Sequence, residues 1–172
     1  MYLVFSPAIG QVIENNNCES AKITDSDIDY VNNYRRDLFP ESDWKRSYTA
    51  EPDSTFVKWS SKSTSGAISI NNFILCNASL EKLKEHLSDK AIATILRSFD
   101  EYDLLVSCQE NNVILYEFEA MRNSRNYDIH MWVKPLEKQH HALAVVLVFL
   151  KDDSEIMDKY SHELFPELTS CR

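Results

Sequence analysis

The sequence predicts an α+β fold in one compact domain over residues 1–172, a mostly antiparallel sheet with helices packed on it. Three observations carry this. Residues Ala142 to Leu150, ALAVVLVFL, hold no polar side chain, so they read as a strand buried on both faces near the centre of a sheet. The segments before it alternate apolar and polar residues in short runs separated by Asn-bearing turns, which gives a four-strand meander over about 103–150. Apolar residues recur at helical spacing in Leu80–Phe99 and again from Ile156 to Leu164.

In chain order, Tyr2–Ser6 reads as a short strand, continued by Gln11–Ile13 after Pro7 and Gly10. Residues 14–20 are a polar loop. Thr24 caps a helix whose first turn carries Asp25, Asp27 and Asp29, where the helix dipole favours acids, and which Pro40 ends. Residues 41–54 read as a loop with Trp44 and Tyr48 beneath it. Thr55–Ser60 and Ala67–Cys76 read as a strand pair joined by the turn SSKSTSG, with a bulge at Asn71-Asn72. Ser79 and Ser88 start two helices, or one bent helix, over 80–99. Four strands follow: Leu104–Gln109, Val113–Met121, Tyr127–Val133 and Ala142–Leu150. Asp153 or Ser154 caps the last helix, which stops at Pro166.

Alternation also fixes faces. A four-residue loop over 123–126 sets Ala120 against Ile129, Phe118 against Met131 and Tyr116 against Val133, an apolar face. A three-residue loop over 110–112 adds Leu104, Val106 and Cys108 to it. The opposite face sets Met121 against Asp128, Glu119 against His130 and Glu117 against Trp132.

Composition excludes several functions. With only Gly10 and Gly66, no phosphate-binding glycine loop, dinucleotide fingerprint or nucleophile elbow can be built. Cys18, Cys76, Cys108 and Cys171 contain no C-x-x-C, and MYLVFSPAIG has neither a basic n-region nor an apolar run of export-signal length. Reduced thiols in a cytoplasm are the expectation. No apolar run is long enough for a membrane span. Lys and Arg number 18 against 27 acids, net −9, and are scattered in the sequence, so neither nucleic acid nor membrane is expected as a partner. His140-His141 with His162 match no zinc spacing. No catalytic residue, cofactor or metal is assigned.

What remains is an acidic surface. Glu117, Glu119, Asp128, His130 and Trp132 are expected together on one sheet face, with Asp100, Glu101 and Asp103 extending the negative charge. Carboxylates beside an aromatic anchor suit a basic protein partner. In general character, small, acidic, Asn-rich, glycine-poor and without catalytic signature, the chain is similar to the immunity proteins that bacteria make against their own toxic nucleases. The likeness is one of type and rests on no motif. It implies a protein that covers a basic toxin domain and blocks it. The second reading is a metal-dependent hydrolase using Glu117, Glu119, Asp128 and His130. The third is a secretion chaperone or adaptor.

Overall fold

The computed structural model describes residue 18 and residues 21–171. The strands expected at Tyr2–Ser6 and Gln11–Ile13 lie outside the described residues.

Among the described residues, seven strands form one antiparallel sheet: β1 (Trp44–Ala50), β2 (Ser54–Ser61), β3 (Ala67–Ile74), β4 (Glu101–Glu110), β5 (Val113–Arg122), β6 (Arg125–Pro135) and β7 (His141–Leu150). Their order is β1-β2-β3-β7-β6-β5-β4. The apolar strand β7 is therefore central, with β3 on one side and β6 on the other. Among the described residues the α-helices are α1 (Asp25–Asn33), α2 (Leu80–His86), α3 (Asp89–Ile95) and α4 (Ser154–Leu164).

Two cores explain why β7 has no polar face. On one side Ala142, Ala144, Val146 and Val148 pack with Leu83 and Leu87, near the first helix pair, and with Ile92, Ile95, Leu96 and Phe99. On the other side Leu143, Val145, Leu147 and Phe149 pack with Val31 of α1 and with Met157 and Leu164 of α4. Each face thus removes about 2 kcal/mol of apolar surface from water per large side chain. The close approach of strand to turn also needs a glycine once. A Cβ on Gly66 would lie 2.3 Å from Phe149 Cε1, which is too short for any side chain.

Four sequence expectations change. Residues 41–54 contain β1 rather than only a loop. As an edge strand it buries Trp44 but leaves Tyr48 exposed, so its pattern carries little apolar signal. No bulge interrupts β3: its pairing with β2 and β7 is continuous through Asn71 and Asn72. The meander turns are tighter than expected. Asn111-Asn112 and Asn123-Ser124 take positive φ (46°, 65°, 50° and 61°), the backbone of two-residue hairpin turns. Ala120 therefore faces Tyr127, Phe118 faces Ile129 and Tyr116 faces Met131. That slip is even, so every side chain keeps its expected face and changes only its partner. In β4 a bulge between Leu104 and Val106 breaks the expected run: Cys108 faces Leu115 and turns away from the apolar face assigned to it.

Helix α1 starts as expected. The Thr24 N–H and hydroxyl both donate to Asp27 Oδ2, at 2.8 and 2.6 Å. It ends at Asn33, well ahead of Pro40, because Arg35 takes φ 48° and a 3₁₀ turn (Arg36–Leu38) follows.

Candidate functional site

The face expected to bind a partner divides into a covered half and an open half. In the covered half, Trp132 is 1% exposed and stacks on Phe165 with centroids 4.9 Å apart. Its indole N–H donates to the Leu168 carbonyl at 2.7 Å. Glu117 is 5% exposed and accepts the Cys171 N–H at 2.7 Å. His130 lies opposite Glu117 in register, with Nε2 3.9 Å from Oε1, and its Nδ1 sits 3.2 Å from Ser161 Oγ. Helix α4 and the chain after it thus lie over this half. Trp132 and Glu117 are packing and anchoring groups, not exposed contacts. The expectation fails here because sequence alternation identifies a face but not what covers it.

The same tail is fixed covalently. Cys108 on β4 and Cys171 form a disulfide, with Cα atoms 5.5 Å apart, and Cys18 pairs with Cys76. All four cysteines are paired, which corrects the expectation of reduced thiols.

In the open half, Asp103, Glu119 and Asp128 fall in one row across β4, β5 and β6. Glu101 stands in the next row, opposite Met121, and Asp100 accepts the Asn123 N–H at 2.8 Å. Lys151 pairs with Glu119, and that hydrogen bond and charge raise its pKa. Beside this row Leu104 and Leu105 are 50% and 45% exposed on the edge strand. Register keeps Leu104 opposite Phe118, on the apolar face expected for it; its place on the edge strand, not its face, leaves it half in water.

The carboxylates and His130 of the second reading do not converge. Among the described residues, no group of three or more His, Cys, Asp or Glu could hold a metal ion. His140 Nδ1 accepts the Asn77 N–H at 2.9 Å, while His141 Nδ1 lies 3.1 Å from Asn72 Oδ1.

The aspartates of α1 do more than cap it. Asp27, 4% exposed, receives Lys138 Nζ at 2.7 Å on Oδ1, and the same oxygen stands 3.9 Å from His141 Nδ1. Burial acts to raise the Asp27 pKa, but the Lys138 and Thr24 hydrogen bonds and the His141 charge outweigh it, so the net shift is below 3.8. Burial, the first cause, holds His141 below 6.5 despite the pull of Asp27. Both shifts have the same consequence for stability. Below 6.5 the unfolded chain takes up a proton that folded His141 refuses, so stability falls as pH drops through that window. Asp27 repeats the loss below 3.8, where its folded carboxylate resists protonation. Urea unfolding between about pH 7 and 5 should therefore show a smaller loss in His141→Gln than in the unmodified protein. Equal slopes would remove His141 from the account.

No family model matches the chain, and no curated protein matches it. Among solved structures it is similar to PA94 of Pseudomonas aeruginosa, a protein of unknown function, with TM-score 0.45 and 10% identity over 78% of this chain and 90% of that one. It is also similar to a mutant of the protein Mog1, with TM-score 0.36 and 10% identity over 67% of this chain and 83% of that one. Likeness at this level brings no activity with it.

Proposed function

We propose that the protein binds and blocks a basic protein domain, in the manner of a nuclease immunity protein. The observation that supports this reading is the open margin of the sheet. It sets the Asp103–Glu119–Asp128 row at the β4 edge, where Leu105 at the bulge and Leu104 on the opposite face are both about half exposed. Carboxylates there would steer a cationic partner, while Leu104 and Leu105 would supply apolar contact once water is excluded. β4 ends the sheet among the described residues, and its strand edge offers backbone groups as a third element. The net charge of −9 acts in the same direction at long range.

The contact set is accordingly narrower than the one the sequence suggests. Asp100, Glu101, Asp103, Glu119 and Asp128 belong to it. Glu117, His130 and Trp132 act from beneath, by holding the tail in place. The partner is a protein in this reading, neither nucleic acid nor membrane; no described helix is long and apolar enough to cross a membrane. A cytoplasmic setting fits only the dithiol form of the chain. The two disulfides favour an oxidising compartment.

The test has two steps. The protein is used to capture its partner from the native host, and the captured domain is assayed for nuclease activity with and without it. Asp103→Lys with Glu119→Lys should then weaken the complex by about 10- to 100-fold at low salt and flatten its salt dependence. Full affinity in that variant, or a captured domain that stays active in the complex, would reject the reading.

A further inference from the structure

The basic residues that are scattered in the sequence are gathered in space. At one end of the sheet, on the face opposite the acidic row, an open cleft of about 540 Å³ is lined by Lys45, Lys62, Arg122 and Arg125. Serine and threonine hydroxyls of residues 60–65 complete its wall. No carboxylate is among the described lining residues, although acids outnumber bases 27 to 18 in the chain.

Two features set this cleft apart from ordinary surface lysines. Arg122 and Arg125 stand directly opposite each other in the β5–β6 ladder, flanking the Asn123-Ser124 turn. Like charges in that position repel and cost the hairpin stability. Neither arginine belongs to an ion pair found among the described residues. Arg125 Nη1 donates to the Ser65 hydroxyl at 3.4 Å. Lys58 adds to the crowding from β2: burial, and then the charge of Arg122, push its pKa down to about 8. The Lys62 ammonium meets two backbone carbonyls, those of Glu41 and Ser42. The fold thus sets two arginines that form no ion pair among the described residues beside further cationic side chains.

We propose that this cleft binds a phosphate group, carried by a small organic molecule or free in solution. Two guanidinium forks and an ammonium can meet several phosphate oxygens at once, and a dianion would cancel the Arg122–Arg125 repulsion. The hydroxyls supply neutral donors. The volume suits a small ligand. The strongly negative remainder of the chain repels an extended polyanion such as nucleic acid, whereas a small phosphate meets only the local field.

Calorimetry and thermal melts on the whole protein test this. Inorganic phosphate and glycerol 3-phosphate are compared with chloride at equal ionic strength and with citrate. Saturable binding of phosphate, with a rise in Tm beyond that given by chloride, is the expected result. Arg122→Gln with Arg125→Gln should weaken it at least about tenfold. Without phosphate that variant should melt no lower than the unmodified protein, since a repulsion is removed; a purely structural role for the arginines requires the opposite. Lys62→Gln carries the same affinity test if the double variant does not fold. Tighter binding of glycerol 3-phosphate would identify an organic phosphate, and equal binding the free ion. No effect beyond chloride, undiminished binding in the variants, or a preference for citrate would overturn the proposal.

Discussion

Trp132→Ala is expected to destabilise the protein by about 3–5 kcal/mol, the range for emptying a buried aromatic site. Three losses combine. The indole leaves a cavity between β6 and the segment after α4, Phe165 loses its stacking partner, and the Leu168 carbonyl loses its N–H donor. The effect should extend along the tail. Hydrogen exchange at the Cys171 amide, which is bonded to Glu117, should accelerate in the variant, since the packing that holds the tail is gone. Chemical denaturation measures the first effect and hydrogen exchange the second. Tyr48→Ala is the matched control, because Tyr48 is exposed on the edge strand and should change stability by no more than about 0.5 kcal/mol. Similar costs for the two variants would mean that Trp132 is not enclosed as described.

Removal of the Cys108–Cys171 disulfide is expected to cost about 4 kcal/mol in the chain-entropy account, given the 63-residue separation it closes. Cys108→Ala with Cys171→Ala should unfold at lower denaturant than the unmodified protein and should not respond further to reductant at this pair. The pairing itself has a direct readout. All four thiols should resist alkylation in the folded, unreduced protein and become labelled only after reduction, as followed by intact mass. Labelling without reductant would return the cysteines to the dithiol state. The outcome bears on partner binding too. The disulfide ties the tail to β4, the strand that exposes Leu104 and Leu105, so its loss would loosen the proposed interface as well as the core.

The candidate site shows where reading by alternation succeeds and where it stops. Glu117, Glu119, Asp128, His130 and Trp132 do share one face of the sheet, because side chains alternate whatever the register, and the actual register differs from the expected one by an even step. Their exposure was a separate matter. Trp132 and Glu117 are closed off by residues 165–171, which sit more than thirty positions away in sequence and leave no trace in the local pattern of β5 or β6. Val106 and Cys108 leave their expected face for a different reason: a bulge is a single-residue event that periodicity averages away. The cationic cleft was invisible for a similar cause, since Lys45, Lys62 and Arg122 come from three different strands or turns.

The sequence by itself determined the elements whose signal is local and repeated. The unbroken apolar run of β7 required cover on both faces, and the helical spacing over 80–99 and 154–164 supplied helices to provide part of it. Burial of apolar surface is nearly independent of partner, so such runs declare their environment wherever they pair. Only the tertiary structure decided which polar residues stay in water, which cysteines meet and where like charges crowd. Those outcomes depend on distances between residues far apart in the chain, and hydrogen bonds, disulfides and ion pairs form or fail within about an ångström.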